Sequence, residues 1–342
     1  MDTIIKRITI FVLVLKICMS VAACTGGTAR QTEPDAQTKP SQQDVLRDPV
    51  QTIFKNTGDL LSKADASDVG TVGGEWVIIG LSRSDRLSKE VSDVYIQAAG
   101  EYVQSVGSCR LHRAKCTDNA RMILALTAVG GDVTNVGGFN LLEGLTEMDY
   151  LTKQGNNGPI WALIALDCGD YEIPVAENAD QQVSRERLVD YILSVQCADG
   201  GWGLTGDAYD IDITAMALQA LADYRKDEKV ASAVEKALVY LSNAQSVDGG
   251  YVGYGISTSE SGAQVIVALT ALGIDPDTDS RFVKNGSSVL DALCGFAVDG
   301  GGFCHLADFP EANGVATEQG YYALTAYWRF LSGKTSLYDI NE

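Results

Sequence analysis

The residues of this 342-residue chain best placed to do chemistry are acids and amides at the starts of apolar stretches. Asp210-Ile-Asp212-Ile213-Thr214-Ala215 sets two carboxylates two residues apart, directly ahead of a run rich in Ala, Met and Leu. Asp118 and Asn119 precede Met122-Ile-Leu-Ala-Leu, Asn156 and Asn157 precede Ile160-Trp161, and Glu260 and Ser261 precede Gln264-Val-Ile-Val. Thr317, Glu318 and Gln319 open the last such run. Singly, an acid in this position caps a helix, accepting from free N–H groups at the positive end of the dipole. Collected at one place beside aromatic rings, the same groups make a mostly apolar pocket with a few fixed acceptors, the usual make-up of a small-molecule site. The expected ligand-binding set is Asp118, Asn157, Trp161, Tyr209, Asp210, Asp212, Tyr254, Glu260, Gln264, Glu318 and Gln319.

Other clusters are weaker. Cys109-x-x-His112-x-x-x-Cys116 and Cys304-His305 carry the only two histidines, too few for a convincing zinc set, and no metal is expected. Asp275-Pro-Asp277-Thr-Asp279 alternates oxygen ligands as a calcium loop does, but the twelfth position is Gly286 instead of Glu, so it reads as a solvated turn. Phosphate loops, nucleophile elbows and zinc-protease histidine pairs are absent from the sequence. Cys109, Cys116, Cys168, Cys197, Cys294 and Cys304 are even in number, which permits three disulfides or leaves buried thiols.

The elements that would position these residues repeat. Gln196-Cys-Ala-Asp199-Gly-Gly-Trp202 recurs as Gln245-Ser-Val-Asp248-Gly-Gly-Tyr251 and, degraded, as Phe296-Ala-Val-Asp299-Gly-Gly-Gly-Phe303, with a weaker form from Gln154. The aspartates lie 49 and 51 residues apart, room for two helices and their loops. Before each turn comes an amphipathic segment such as Val230, Val234, Ala237, Leu238 and Leu241 at helical spacing; after it comes a helix apolar nearly all round. Alternation of these two kinds predicts two concentric layers. Outer helices are expected near 50–63, 90–106, 141–153, 184–197, 230–245 and 284–297, and inner ones near 74–82, 117–129, 157–168, 211–224, 259–273 and 315–332. Six of each closes a ring, an all-α α6/α6 toroid over residues 50–342. An open solenoid would need polar caps, and the last helix, with Tyr321, Tyr322, Tyr327 and Trp328, is too apolar for one.

Residues 1–23 have the form of an export signal, with Lys6 and Arg7 ahead of the apolar run Ile8–Leu15. Val21-Ala-Ala-Cys24 resembles the lipobox of bacterial lipoproteins, which implies a lipid on Cys24 and a cell-surface location on the outer side of the cytoplasmic membrane. Residues 24–49 hold no aromatic side chain and read as a flexible tether. The formal net charge of −19 repels phosphate backbones, so nucleic acid is excluded as a partner, and membrane contact is expected through the lipid alone.

The Gln-x-x-Asp-Gly-Gly-Trp turns resemble the QW repeats of squalene cyclases and the related repeat of protein prenyltransferase β-subunits. Asn157-Gly-Pro-Ile-Trp161 and Ala316-Thr-Glu-Gln-Gly-Tyr-Tyr look like exported Gram-positive members of that superfamily, which also includes the helical domain of the cobalamin carriers intrinsic factor and transcobalamin. The resemblance spans roughly residues 50–340 and implies the toroid; its members include cyclases, transferases and pure binders. Asp210-x-Asp212-Ile-Thr-Ala is similar to the Asp-x-Asp-Asp-Thr-Ala motif of class II terpene cyclases, which would make Asp212 an acid with Asp210 beside it. Ile213 replaces the third acid, however. The resulting expectation is a non-catalytic surface protein binding a small ligand, a corrinoid being one candidate and the cofactor otherwise unknown. An isoprenoid-acting enzyme using Asp212, or a scaffold that binds a surface protein, are the alternatives.

Overall fold

Helices without a polar face must be enclosed on every side, and in the computed structural model six of them form the inner wall of a ring. Residues 45–206, 209–253 and 255–341 are described; the signal segment, Cys24, most of the tether and Tyr254 lie outside the described residues. In chain order the first six helices are α1 (Val50–Leu61), α2 (Val72–Arg83), α3 (Lys89–Val106), α4 (Cys116–Ala128), α5 (Met148–Leu151) and α6 (Asn157–Asp167). Then follow α7 (Arg185–Ser194), α8 (Ile211–Leu221), α9 (Glu228–Ala244), α10 (Ser259–Ala271), α11 (Val289–Cys294) and α12 (Gly314–Leu331). The even-numbered helices are inner and the odd-numbered ones outer. Each inner helix packs on the next, and α12 packs on α2, which closes the ring. Ala125, Ala165, Ala217 and Ala268, near the middles of four inner helices, are fully buried.

The repeat turns are what space the pairs. The Gln245 amide donates to Gly249 O and to Phe282 O, each at 2.8 Å, and Gln196 does the same for Gly200 O and Ala233 O. One side chain thus holds its own turn shut and ties it to the following repeat. Gly249 has φ +87°, and a Cβ there would lie 2.4 Å from Ser288 O, so only glycine fits. The third turn does this across the seam: Gly301 lies against Asn56 of α1, and Gly302 N donates to Thr57 Oγ1. The weaker repeat works differently. Gln154 Oε1 turns back to accept from Thr117 N at the head of α4.

Two outer helices differ from expectation. Residues 141–154 form a short 3-10 turn, the four-residue α5 and another 3-10 turn; Gly144 sits so close to Asn119 Nδ2 and Cys109 O that no side chain would fit there. Only 289–294 of the segment 284–297 is helical. Ahead of it β3 (Val283–Lys284) and β4 (Ser287–Ser288) pair across Asn285-Gly286, both with positive φ, a two-residue hairpin. β1 (Val252–Gly253) and β2 (Ile256–Ser257) make a second such pair. The folded part also takes in the end of the expected tether: Leu46 is buried, and Arg47 bridges Asp277 at 2.8 Å and Asp291 at 2.6 Å. No helix among the described residues is long and apolar enough to cross a membrane.

Candidate ligand site at the mouth of the ring

All six inner helices run the same way. Residues in the first turns of neighbours meet, as Glu75 of α2 meets Arg121 of α4 and Gln264 of α10 meets Gln319 of α12. One end of the ring therefore collects six helix N-termini. The first seven residues of these helices hold five carboxyl groups, Glu75, Asp118, Asp212, Glu260 and Glu318, and one basic residue, Arg121. Trp76, Asp118, Asn157, Asp212, Met216, Glu260 and Gln319 are among the part-exposed residues of these mostly buried turns, and they mark an opening that solvent reaches.

Below the mouth the lumen is filled. The rings of Trp76 and Trp161 meet at 5.1 Å across it, Tyr322 lies 5.6 Å from Trp76, and Tyr338 of the C-terminal tail lies 5.6 Å from Trp161. Such tilted and edge-on contacts are the favoured aromatic geometries. The tail is held by Arg83, which donates to Ser336 O, Leu337 O and Asp339 O, and by Ile340 N bonded to Cys168 O. Trp161, expected as a ligand contact, thus belongs to this plug, with its ring buried.

A chain of amides crosses just above the plug. Gln219 Nε2 donates to Gln264 Oε1 at 3.1 Å; Gln264 Nε2 donates to Gln319 Oε1 at 3.0 Å and to the Tyr322 hydroxyl. Asp212 stands beside it and takes a hydrogen bond from Ser261, while its Oδ1 is buried with no partner. Burial pushes the Asp212 carboxyl up to about 6, with Asp210 and Glu260 adding repulsion and the Ser261 bond opposing. Asp210 instead caps a helix, its Oδ1 accepting from Ile213 N at 3.0 Å at the head of α8. Glu260 is held by His305 Nδ1 at 2.8 Å. Asp118 leans on Arg121 at 3.3 Å, and Asn157 Oδ1 is buried without a partner. Tyr209 lies on the exposed outer surface against Tyr240, away from the amide chain.

Glu318 is almost wholly buried, its Oε1 has no partner, and burial raises its carboxyl to about 8 despite the attraction of Arg121. The nearby Glu75–Arg121 pair, at 2.9 Å, is equally enclosed; burial raises Glu75 more than Arg121 and the N–H of Gly70 lower it. The remaining acids of interest have local partners. Asp275 accepts from Asp277 N, Asp277 pairs with Arg47, and Asp279 pairs with Arg281, so each belongs to its own turn or bridge. All six cysteines among the described residues are free thiols.

Trp76, Tyr322, Tyr338 and Glu75 are residues of this region that the sequence pattern did not single out. Gly73-Gly-Glu75-Trp76 ahead of Val-Ile-Ile is the same acid-before-apolar signal that marked the other inner helices, and it sits at the same place in α2.

No family model matches this chain, and no curated protein matches it either. Solved structures do. The Candida albicans protein geranylgeranyltransferase-I complexed with GGPP is 13% identical with TM-score 0.54, over 82% of this chain and 91% of that one. The unsaturated glucuronyl hydrolase from Bacillus sp. GL1 is 12% identical with TM-score 0.54, over 84% and 97%. The ent-copalyl diphosphate synthase from Streptomyces platensis is 18% identical with TM-score 0.45, over 76% of this chain and 50% of that one. The chain is an α/α toroid. Identities this low speak for the shared architecture and not for a shared reaction.

Proposed function

We propose that this toroid is a binding protein that takes a small ligand at the mouth of its ring, carried on the cell surface by a lipid on Cys24. One observation carries the reading: Asp212 keeps a buried, unpartnered oxygen at the head of α8, where Trp76 of α2 and Gln319 of α12 are also part-exposed in their own opening turns. A buried acceptor without a partner is costly, and a ligand donor would remove that cost. The ligand suited to these groups has one apolar face for the indole and hydroxyl or amine donors for the carboxyl and amides. An anionic head is poorly served, because the part-exposed acids Asp118, Asp212 and Glu260 stand at the opening and Arg121 is already committed to Glu75 and Asp118.

The same carboxyl is the basis of a catalytic reading, and its environment argues against alkene protonation. Burial lets Asp212 keep its proton to about 6, but a raised pKa also makes it a weaker acid. Such a group suits donating or accepting a hydrogen bond better than attacking an unactivated double bond.

A thermal-shift panel separates the readings. Cyanocobalamin, neutral disaccharides and geranylgeranyl diphosphate are added in turn to wild type, Asp212→Asn and Trp76→Ala. The expected result is stabilisation by an uncharged member, weakened by both substitutions, with no shift from the diphosphate. Turnover of geranylgeranyl diphosphate that Asp212→Asn abolishes would replace binding by catalysis.

A further inference from the structure

α3 buries Tyr95, Ala99 and Val103, four residues apart on one face, while its first turn, through Val91, borders a space beside α2 among the described residues. Between α1, α2, α3 and the start of α12 lies a cavity of about 910 Å³, within the range of ligand pockets. Val77, Ile78 and Leu81 of α2 form its floor, and Leu87 and Val91 stand on one side of it. Glu318 lines it too. Gly73 has no side chain to separate that carboxyl from the cavity; a Cβ there would lie 3.5 Å from Glu318 Oε2.

Two features make this more than an uncovered apolar face. Glu318 is 98% buried, by its relative exposure of 2%, and its Oε1 has no hydrogen-bond partner. The apolar floor runs as one stripe from the first turn of α2 to its last, so a long thin body fits along it and a compact one leaves most of it empty.

We infer that this slot is a second binding site, for a single flexible hydrocarbon chain whose uncharged hydroxyl head hydrogen-bonds Glu318. The chain lies along Val77, Ile78 and Leu81, and its burial supplies most of the binding free energy. The hydroxyl can donate to one carboxyl oxygen and accept from a protonated one, so it serves Glu318 in either state. An anionic head would meet Glu318 together with Asp65 and Asp68, while Arg86, the one cation lining the slot among the described residues, is already paired with Asp59 at 2.8 Å. This site is separate from the mouth and does not depend on the reading of Asp212.

Titration calorimetry with 1-decanol and sodium decanoate tests it on the folded wild-type protein. One decanol should bind per chain, with decanoate at least about tenfold weaker. Val91→Trp, which fills the slot from a half-exposed position, should abolish the decanol signal. Glu318→Leu keeps the side chain's bulk but removes the partner, and should weaken decanol about tenfold, the worth of one buried hydrogen bond. Asp212→Asn should leave decanol binding unchanged, which keeps failure here distinct from failure at the mouth. Unaltered binding in Val91→Trp, or decanoate binding as tightly as decanol, would overturn the assignment. Absence of decanol binding to a normally melting wild type would do the same.

Discussion

Asp212 and Glu318 hold their protons longer in the folded chain than in the unfolded one, and this has a definite sign. Asp212 rises from 3.8 to about 6 and Glu318 from 4.5 to about 8, in both cases chiefly through burial. Between its two values each group binds more protons when folded, so stability falls as pH rises through that window and is flat outside it. Asp212→Asn should therefore stabilise the protein at pH 7 by on the order of 2 kcal/mol and leave it unchanged below pH 4. Glu318→Gln should remove a loss that otherwise continues up to pH 8. Urea melts across pH 4 to 9 read both, and variant curves that run parallel to wild type would rule the assignment out. The acids themselves were visible in the sequence, because a carboxylate at the head of an apolar run stands out. Their burial was not. Whether such a carboxyl faces water or a neighbouring helix depends on the packing of a segment some fifty residues away.

At the scale of the element, the repeat turn is the working part. Gln245 satisfies two carbonyls of different repeats while Gly249 takes a backbone conformation and a closeness to Ser288 that a side chain forbids. Gln245→Ala should cost about 2 kcal/mol, one hydrogen bond to each repeat. Gly249→Ala should cost at least about as much through strain at positive φ and the clash with Ser288. Thermal melts check both, and a Gly249→Ala protein as stable as wild type would contradict the geometry. The inner helices were legible because nothing but enclosure explains a run like Gln264-Val-Ile-Val-Ala-Leu. Two outer ones were not, for different reasons. Asn285-Gly286 is a strong hairpin signal that the apolar pattern around it obscured, whereas at 141–154 Gly144 packs against Asn119 too closely for a side chain, a contact no local pattern contains. The aromatic plug was hidden by the same uniformity that revealed the helices: with apolar residues on all sides, periodicity cannot say that Trp76, Trp161 and Tyr322 are the ones turned to the centre.

Across the whole molecule the C-terminal tail acts as the floor of the ring. Leu337 and Tyr338 are buried, and Arg83 and Arg329 both spend donors on carbonyls or hydroxyls of residues 335–339. Deleting residues 335–342 should cost at least about 4 kcal/mol, from one lost aromatic, one lost leucine and two buried guanidinium groups deprived of acceptors. Its signature would be new binding of a hydrophobic dye at the base of the ring, and an unchanged melting point would refute it. The seam on the opposite side has a consequence for biosynthesis. Asn56 and Thr57 lie against Gly301 and Gly302, so α1, the first helix among the described residues, must wait for nearly the last turn before this side of it is covered. A contact this distant in sequence makes folding slow. It leaves a long interval in which an unfinished crescent presents greasy edges, so a holdase that shields α1 until the third turn has formed should raise the yield of folded protein.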